Sequence, residues 1–412
     1  MSDNGIISGL DIGTTKIGVI IAEKESSGGI KILGVGKSPS EGLRRGVVVN
    51  LDKTVRSIEK AVEEAELMAG VEINEVYAGI AGDHIRSLNS RGIVAVSRND
   101  NEITKDDVRR SIDAAKAIAL PMDREIIHII PQEFIVDDQD GIKEPVGMSG
   151  VRLEVDAHIV TGAVTSAQNI YKSVQRAHLK VKDLVLEPLA SSYAVLDDDE
   201  KELGVGLLDI GGGTTDIAIF FEGSIRHTAV IGLGGKNITN DIALGLRTPV
   251  EQAEKIKIEH GCCFQGLINE GETIEVPGVG GRNSREVSKS VLTGIIQPRM
   301  EEIYTLALRE IKRSDYLDLL TTGIVITGGT AYLPGALELA ERVFDMPVKI
   351  GIPNGLSGLI DSARHPMYST GVGLVIYGVK HEHQNPELYN GDDSKIFERI
   401  LSRMKKWFGE FF

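Results

Sequence analysis

Two short segments of the chain combine an aspartate, glycines and threonines in nearly the same order. The first is DIGTTK at 11–16, and the second is DIGGGTTD at 209–216. Glycines in a tight turn can adopt positive φ and leave backbone N–H groups free to point at an anion. An aspartate beside each turn suits Mg²⁺ bound through water. Together the segments predict a site that holds the phosphates of a nucleotide from both sides.

The residues predicted to bind these phosphates come from both segments. They are Asp11, Gly13, Thr14, Thr15, Lys16, Asp209, Gly211, Gly212, Gly213, Thr214 and Thr215. Asp11 and Asp209 are also the predicted partners of Mg²⁺, through water. An ordinary β-hairpin with an Asp-Gly type turn would explain either segment alone. Two copies in the same register favour the phosphate site and predict a duplicated fold.

Apolar runs flank both segments and predict the elements that position them. Residues 6–10 and 205–208 precede the segments, and residues 17–21 and 217–221 follow them. Each copy therefore predicts a strand, a tight turn and a second strand. Farther along, strands alternate with helices, and apolar residues at helical spacing predict a helix at 51–69.

A third glycine-containing segment, ITGGTAYLPG at 326–335, follows an apolar strand and precedes a helical pattern. Its glycines would let the backbone approach a flat base and its ribose. The candidate residues there are Gly328, Gly329 and Thr330. With three such motifs in this order, the chain resembles the superfamily of actin, hexokinase and heat-shock chaperone ATPases. PLASSYAVL at 188–196 and STGVGLVIYG at 369–378 resemble its two interdomain connecting helices.

The resemblance implies an actin-like α/β fold with two duplicated domains around a cleft for ATP and Mg²⁺. Glu187, just before Pro188, lies where superfamily ATPases often place the residue that orients the attacking water. Asp11 is a second catalytic candidate. Alternatively, Glu187 caps or ends a helix. The narrower family resemblance given below implies at most weak ATP hydrolysis, with ATP acting mainly as a conformational ligand.

The segment TPVEQAEKIKIEHG at 248–261 predicts a helix with Thr248 as its N-cap. Glu254 and Lys257 are three residues apart and share one face of it, as an ordinary solvated ion pair would. In the superfamily, the matching acid and lysine reach the ribose and base of the nucleotide. The residues expected near the phosphates in that case are Gly234, Gly235 and Lys236.

Composition narrows the class of protein. The chain has 412 residues and a formal net charge of -15, which argues against general nucleic-acid binding. No apolar run approaches the roughly 20 residues that span a bilayer, and no signal sequence is recognised at the N-terminus. Cys262 and Cys263 are adjacent, so neither a disulfide framework nor a cysteine metal site is expected. These features predict a cytosolic globular protein.

Residues 84–162 predict a compact insert with its own strands, and with a helix opened by a Thr104–Asp107 capping box. At the other end, residues 380–393 are polar and predict a flexible linker. Residues 394–412 then predict an amphipathic helix. Its apolar stripe is Ile396, Phe397, Ile400, Leu401, Met404, Trp407, Phe408, Phe411 and Phe412. Basic residues, Lys405 and Lys406 among them, favour an anionic membrane surface over packing or partner binding.

An actin-like ATPase with this insert and this tail resembles the FtsA family of bacterial cell-division actins. VYAGIAGDHIRSLNSRG at 76–92 is similar to the stretch where that family enters its inserted subdomain. The resemblance implies a protein that polymerises on the cytoplasmic face of the inner membrane at the division septum. It also implies tethering of FtsZ filaments to that membrane and recruitment of later divisome proteins.

The FtsZ C-terminal peptide is expected to dock on residues 227–310, a mostly helical segment in which Pro298 predicts two helices or a kink. The candidate cations for that acidic peptide are Lys289, Arg299 and Arg309. Residue boundaries for the whole chain follow from the resemblance. They are subdomain 1A at 1–83 and 163–195, subdomain 1C at 84–162, subdomain 2A at 196–226 and 311–379, subdomain 2B at 227–310, the linker at 380–393 and the amphipathic helix at 394–412.

Three other classes share the phosphate motifs. A sugar kinase needs a catalytic aspartate and a sugar cleft, and no segment can be identified with either. A heat-shock chaperone needs a substrate-binding domain after residue 379, where only the linker and tail follow. A PilM-like pilus assembly protein shares the insert, but it is not expected to carry the amphipathic tail. In that alternative the tail would bind a protein partner.

Overall fold

A computed structural model describes residues 5–25, 28–97, 100–280 and 282–381 of the chain. The chain forms two compact units. The main unit runs to Ser87 and also contains Leu120–Ile127 and Thr161–Val379. The inserted unit contains Leu88–Ala119 and His128–Val160.

Nineteen strands occur in the described residues. In chain order they are β1 (Ile6–Ile12), β2 (Lys16–Lys24), β3 (Ile30–Pro39), β4 (Leu43–Arg44), β5 (Val47–Val48), β6 (Glu75–Ile80), β7 (Arg86–Ala95), β8 (Arg124–Val136), β9 (Gln139–Ile142), β10 (Arg152–Ala163), β11 (Lys180–Leu186), β12 (Val205–Ile210), β13 (Thr215–Phe221), β14 (Ser224–Ile231), β15 (Thr273–Val276), β16 (Arg285–Ser288), β17 (Ile324–Thr327), β18 (Val348–Ile350) and β19 (Ser357–Gly358).

Eleven α-helices occur in the same residues. They are α1 (Leu51–Ala69), α2 (Lys105–Lys116), α3 (Val164–Arg176), α4 (Glu187–Val195), α5 (Asp198–Leu203), α6 (Gly235–Leu246), α7 (Val250–His260), α8 (Lys289–Arg313), α9 (Ala336–Phe344), α10 (Ile360–Ala363) and α11 (Ser369–His381). The helix predicted at 51–69 is therefore confirmed as α1. Both predictions of a strand, a turn and a strand are confirmed as β1–β2 and β12–β13.

The main unit contains two large sheets that share a topology of five strands, and β19 adds a sixth strand to the first sheet. The first has the order β11-β6-β1-β2-β3-β19, and the second has the order β14-β13-β12-β17-β18. Each sheet contains three consecutive antiparallel strands, β1-β2-β3 in the first and β12-β13-β14 in the second. The first strand of each run carries Asp11 or Asp209. On the other side of that strand lie parallel strands, β6 and then β11 in the first sheet, and β17 and then β18 in the second. This repetition confirms the duplicated α/β fold predicted from the sequence.

Helix α1 packs directly against β3. Asn50 caps its first turn by accepting a hydrogen bond from the N–H of Lys53 at 3.0 Å, and Gly70 ends it in the left-handed region at φ 68°. The helix approaches so closely that a Cβ at Gly36 would overlap the carbonyl oxygen of Ala61 and lie 2.6 Å from the N of Ala65. Only glycine therefore fits at residue 36.

Helices α4 and α11 also touch through their backbones. A Cβ on Gly373 of α11 would overlap the carbonyl group of Ala190 on α4. A Cβ at Gly9 of β1 would lie 2.5 Å from the carbonyl oxygen of Gly371. Small residues thus bring these two helices, which the sequence predicts as connecting helices, against each other and against the first sheet.

Helix α8 is one continuous helix of 25 residues with Pro298 inside it, so of the two predicted alternatives two helices is wrong, and a kink stays a prediction. Proline in a helix interior costs about 3 kcal/mol because it removes a hydrogen bond and crowds the carbonyl four residues earlier. Burial on the other face offsets that cost. The fully buried residues of α8 are Leu292, Ile296, Met300, Ile303, Tyr304, Ala307 and Ile311. The hairpin β15–β16 beside it was not predicted.

The inserted unit has a sheet in the order β7-β10-β8-β9, together with helix α2. Thr104 caps α2, and Asp107 completes the predicted capping box, which is confirmed. The buried core of the inserted unit is formed by Val96, Ile103, Val108, Ile112, Ala115, Phe134, Val136, Leu153, Val155 and Ala157. The short strand β9 was not predicted.

Across the described ranges, which stop at residue 381, the helices are all too short or too polar to cross a membrane.

We expect Gly36→Ala to lower the free energy of unfolding of the main unit by about 1–3 kcal/mol, because β3 and α1 would have to separate. Gly294→Ala is the matched control, since a Cβ there meets nothing within 4 Å. Because residue 294 lies in the interior of α8, Gly294→Ala should raise the free energy of unfolding by about 0.5–1 kcal/mol. Urea unfolding of both variants checks the pair. Equal effects of the two substitutions would contradict the close packing of α1 on β3.

Candidate functional site

The two hairpins face each other across a cavity of about 360 Å³ in the main unit. Most residues predicted to bind a nucleotide line it. They are Asp11, Gly13, Thr14, Thr15, Lys16, Glu187, Asp209, Gly211, Gly212, Gly213, Thr214, Gly235, Glu254, Lys257, Gly328, Gly329 and Thr330. The structure therefore brings the three motifs to one place. Three predicted residues, Thr215, Gly234 and Lys236, lie outside this lining.

The hairpin tips meet without room for another side chain. A Cβ at Gly212 would overlap the side chain of Thr15, and a Cβ at Gly213 would overlap the side chain of Thr14. The expectation that the hairpin glycines adopt positive φ is wrong, because Gly13 and Gly211–Gly213 are absent from the positive-φ residues. Their lack of a side chain matters instead, since it lets the tips approach.

Backbone amides at these tips have no protein acceptor. Within the described ranges, no hydrogen bond uses the N–H groups of Thr14, Thr15, Gly212 and Gly213. Amides held in this way on two facing turns form a concave donor surface that suits phosphate oxygens. Gly328 has φ 87°, and a Cβ there would lie 2.5 Å from Oδ1 of Asp209, so glycine is required at that position for both reasons.

Asp209 is buried and anchored by both connecting helices. Its Oδ2 accepts hydrogen bonds from Ser191 Oγ of α4 at 2.7 Å and from Thr370 Oγ1 of α11 at 3.2 Å. Burial raises the pKa of Asp209, whereas these hydrogen bonds lower it and the charge of Asp11 raises it. The carboxylate therefore has a fixed position at the floor of the cavity.

Asp11 is paired with Lys16, whose Nζ lies 3.1 Å from Oδ2 of Asp11. The same ammonium donates to the carbonyl oxygen of Met367 at 2.6 Å and lies 4.7 Å from the ring centre of Tyr368. Lys16 therefore has its geometry set by Asp11 and by the turn before α11. It supplies a positive charge beside the first hairpin.

Asp216 also lines the cavity, and the sequence analysis did not single it out. The register of β12 and β13 places it directly opposite Asp209. Its Oδ2 accepts from Thr214 Oγ1 at 3.0 Å, but its buried Oδ1 has no partner in the described residues. Burial, and then the charge of Asp209, raises the pKa of Asp216 to about 8. A signal was present in the sequence, since aspartates stand at both ends of DIGGGTTD.

Glu187 is the first residue of α4, and the cap of that helix makes no side-chain hydrogen bond. The alternatives that Glu187 caps or ends the helix are therefore wrong. Its side chain lines the cavity, with Oε1 3.2 Å from the position of a Cβ on Gly79. Burial, followed by the charges of Asp11, Asp216 and Asp209, raises the pKa of Glu187 well above its usual value.

These four carboxyl groups line one cavity with Lys16 and Lys257, and repulsion between their charges contributes to the raised pKa values of Glu187, Asp209 and Asp216. A divalent cation would relieve both the repulsion and the unpartnered Oδ1 of Asp216, so the donor set fits Mg²⁺. The described residues contain no group of three or more His, Cys, Asp or Glu side chains arranged to bind a metal directly. The water-mediated Mg²⁺ expected at Asp11 and Asp209 needs no such group.

Lys257 and Glu254 form an ion pair in which the lysine is buried and connected to other groups, while the Glu254 side chain remains 42% exposed. Lys257 Nζ is buried and lies 2.8 Å from Glu254 Oε2, 2.9 Å from Thr239 Oγ1 and 3.2 Å from the carbonyl oxygen of Gly235. These contacts lie at one end of the cavity. Thr248, by contrast, is not the N-cap of α7, because Pro249 occupies that position. The Thr248 hydroxyl donates to the carbonyl oxygen of Pro277 instead.

The start of α6 supports the second hairpin by hydrogen bonds. The N–H groups of Gly235 and Lys236 donate to the carbonyl oxygens of Gly211 and Gly212 at 2.9 and 2.8 Å. Thr330 Oγ1 donates to the carbonyl oxygen of Gly211 as well, at 3.0 Å. These amides are therefore already used, and they hold the hairpin rather than face the cavity.

Two supporting residues lie close by. The Thr215 hydroxyl donates to the carbonyl oxygen of Leu233 at 3.0 Å. The N–H of Gly234 donates to Oδ1 of Asn237 at 3.1 Å. Both contacts stabilise the segment between the second hairpin and α6, behind the lining of the cavity.

An aromatic pair forms part of the cavity wall and was not found from the sequence. The rings of Tyr332 and His365 lie 4.4 Å apart, with an interplanar angle of 57°. His365 Nδ1 accepts from the N–H of Met367 at 3.1 Å. Burial, with the charges of Lys16 and Lys37, lowers the pKa of His365. These two residues are far apart in the sequence and belong to no local motif.

Candidate cations for an acidic peptide differ in what they already contact. Lys289 pairs with Glu272 at 2.7 Å, and Arg299 pairs with Asp241 at 2.6 Å. Arg309 is exposed and has no ion pair within the described ranges. The predicted linker after His381 and the predicted amphipathic helix at 394–412 lie outside the described residues.

We expect Asp216→Asn to flatten the pH dependence of stability in the absence of nucleotide and Mg²⁺. The folded pKa is raised from 3.8 to about 8, so the folded state binds the extra proton between these values. Stability therefore falls as pH rises through this window, by up to about 1.4 kcal/mol per pH unit. Urea unfolding at pH 5 to 8 measures the difference between the wild type and the variant.

Asp107→Asn is the control for this experiment. Although burial opposes the effect, hydrogen bonds from Thr104 and the nearby Arg110 lower the pKa of Asp107. Its contribution to stability is lost only as pH falls through that lowered value, so this variant should differ from the wild type by a constant between pH 5 and 8. Parallel curves for Asp216→Asn and the wild type would contradict the raised pKa.

Comparison with known families gives two matches along the chain. A family model described as "Cell division protein FtsA" matches residues 206–373, and one described as "SHS2 domain inserted in FTSA" matches residues 82–161. Among solved structures, the chain is similar to one titled "PilM-PilN type IV pilus biogenesis complex", with a TM-score of 0.66 at 15% identity, covering 90% of this chain and 98% of that chain.

It is also similar to MreB 5 of Spiroplasma citri bound to AMPPNP, with a TM-score of 0.53 at 13% identity, covering 98% of this chain and 99% of that chain. At such identities these likenesses show the fold alone, and they confirm the predicted actin-like architecture.

Sequence identity is much higher to proteins that match over nearly the whole length of the chain. The chain is 50% identical over 408 residues to the cell division protein FtsA of Pseudomonas aeruginosa, covering 98% of this chain and 97% of the relative. It is 40% identical over 413 residues to that of Escherichia coli K12, covering 98% of this chain and 96% of the relative. Since these matches extend over nearly the whole of both chains, the chain belongs to the family of the cell division protein FtsA.

Proposed function

We propose that this chain binds ATP with Mg²⁺ between its two hairpins and, in that state, assembles on a membrane and holds FtsZ there. The observation that carries the nucleotide proposal is the pair of facing hairpin tips. Their unused amides at Thr14, Thr15, Gly212 and Gly213 converge on one cavity beside the carboxylates of Asp11 and Asp209.

The remaining walls of the cavity suit the other parts of the nucleotide. Lys257 and Glu254 offer an ammonium and a carboxylate at the end where Gly328–Thr330 and the exposed ring of Tyr332 also lie. A ribose offers hydroxyls for such polar groups, and a purine offers a flat face for the ring. Support also comes from the MreB structure of the same fold, which is titled as bound to AMPPNP.

Mg²⁺ would be held through water by Asp11 and Asp209, and it would supply the charge that offsets the phosphates. Glu187 is the candidate for orienting water. Burial and the charges of Asp11, Asp216 and Asp209 raise the pKa of Glu187 in the protein alone. ATP would act chiefly as a conformational ligand, with weak hydrolysis. Binding across the gap would hold the two halves of the main unit in one arrangement.

Membership of the FtsA family supports the cell-division part of the proposal. The basic amphipathic segment at 394–412 would lie in the surface of the inner membrane, and polymerisation would strengthen the attachment by combining many weak contacts. The FtsZ C-terminal peptide would dock on residues 227–310, where Arg309 is the uncommitted cation of the three candidates. The inserted segment at 84–162 would contact later divisome proteins.

We expect Asp209→Asn to weaken binding of Mg-ATP at least about tenfold, because the carboxylate charge facing the metal is lost. The amide can still accept from Ser191 and Thr370, so the fold should persist. Isothermal titration calorimetry with and without Mg²⁺ measures the effect, and Asp107→Asn in the inserted unit is the matched control. Unchanged affinity in Asp209→Asn would refute the assigned phosphate site.

We expect the full chain to pellet with anionic vesicles in the presence of Mg-ATP, and Trp407→Glu to remain mostly in solution. The substitution places a charge on the apolar stripe of the predicted helix, whereas Glu410→Gln leaves that stripe intact and serves as the control. A chain lacking residues 394–412 should behave like Trp407→Glu. An added FtsZ C-terminal peptide should pellet only together with chains that bind vesicles.

Two outcomes would overturn parts of the proposal. Equal pelleting of the full and shortened chains would remove the tail as the membrane anchor. Binding of nucleotide with no binding of vesicles or peptide would favour the alternative of a PilM-like assembly protein that uses its tail for a protein partner.

A further inference from the structure

Arg45 lies in the tight turn between β4 and β5 and has an unusual backbone conformation. Its φ is 51°, in the left-handed region that residues other than glycine rarely adopt. Its side chain is exposed, and it forms no ion pair with any residue that the structure describes. A non-glycine residue persists in this conformation only where its surroundings fix it.

Contacts of the turn show what fixes it. The N–H of Gly46 donates to Thr14 Oγ1, at the tip of the first hairpin, at 2.9 Å. A Cβ at Gly46 would lie 2.8 Å from the carbonyl oxygen of Ala81, and a Cβ at Gly82 would lie 3.1 Å from the carbonyl oxygen of Arg45. The backbone of Arg45 is therefore held against the first hairpin.

The side chain of Arg45 points toward the other half of the main unit. Its Cδ, Nε and Nη1 lie 3.5, 3.8 and 3.9 Å from the position of a Cβ on Gly232. Gly232 directly follows Ile231, which pairs in register with Thr215 of the second hairpin. Arg45 thus reaches from the first hairpin to Gly232, which neighbours the second hairpin. This place is close to the contact between Gly213 and Thr14.

Arg45 is not among the residues that line the cavity, but the charges there leave a role for a guanidinium held beside Thr14, which does line it. The ammonium of Lys16 is paired with Asp11, and that of Lys257 is paired with Glu254. A triphosphate adds further negative charge between the hairpins, beyond what one Mg²⁺ offsets. Arg45 is anchored within one residue of the Thr14 contact, and a guanidinium can bind a phosphate through two parallel hydrogen bonds.

We propose that Arg45 binds the terminal phosphate of the bound nucleotide. This contact across the two hairpins then distinguishes a nucleoside triphosphate from a diphosphate. This inference rests on the proposed nucleotide site. The diphosphate lacks the group that the guanidinium binds, so it cannot make this contact.

The test compares the affinities of Mg-ATP and Mg-ADP for the full chain by calorimetry. Arg45→Gly removes the guanidinium and relieves the left-handed backbone, so its midpoint of thermal unfolding should equal or exceed that of the wild type. The preference for ATP over ADP should fall about tenfold or more in Arg45→Gly, and by less in Arg45→Lys, which keeps the charge but loses the fork.

Arg44→Ala is the matched control, because Arg44 is the adjacent exposed arginine and its side chain has no hydrogen bond within the described ranges. Its ratio of affinities should equal that of the wild type. If Arg45→Gly binds both nucleotides with the wild-type ratio of affinities, Arg45 does not bind the terminal phosphate, and the proposed nucleotide site is unaffected. If the wild type binds neither nucleotide, the proposed function fails, and the role of Arg45 fails with it.

Discussion

The closeness of the two hairpin tips sets the architecture of the main unit. Gly212 and Gly213 contact Thr15 and Thr14 with no space for a Cβ between them. Two sheets that share a topology of five strands bring similar turns to one gap from opposite sides. The N–H groups of Thr14, Thr15, Gly212 and Gly213 at these tips make no hydrogen bond within the described residues. Any displacement of one sheet relative to the other changes the distance between these two rows of donors.

Buried charge is the second constraint, and it follows from the first. Asp11, Glu187, Asp209 and Asp216 line the same cavity, and burial raises the pKa of the last three. Carboxylates removed from water must be protonated, hydrogen-bonded or paired with a cation. In the protein alone, Lys16 and the hydroxyls of α4, α11 and the second hairpin meet that need only in part. These charges are the physical reason for proposing a cation with phosphate ligands, rather than an apolar molecule, in this cavity.

Much of this site could be predicted from the sequence because its three motifs are local. A strand, a tight turn and a second strand fix where Asp11, Asp209 and the hairpin glycines lie, whatever the rest of the chain does. The positive φ expected for those glycines was wrong, since a rule about isolated turns ignores the second hairpin that presses against them. Thr248 was misassigned for a similar reason, because a carbonyl oxygen 29 residues away takes its hydroxyl.

Other parts had no local signal. The pairing of Tyr332 with His365 and the contact of Arg45 with Gly232 join segments that are distant in the sequence. Pro298 shows the opposite case, in which a local rule predicted two helices or a kink, and the burial of one face keeps α8 a single helix. Propensity and spacing thus predict elements and motifs, whereas contacts between sheets depend on the whole fold.

The backbone contact between α4 and α11 has a mechanical consequence. Gly373 lies directly on the carbonyl group of Ala190, with no side chain between the two helices at that point. The backbone contact therefore sets the separation of the two helices at this crossing. Ser191 and Thr370 lie within about one turn of it and both donate to Asp209, so any change in the angle between the helices would be transmitted to that carboxylate.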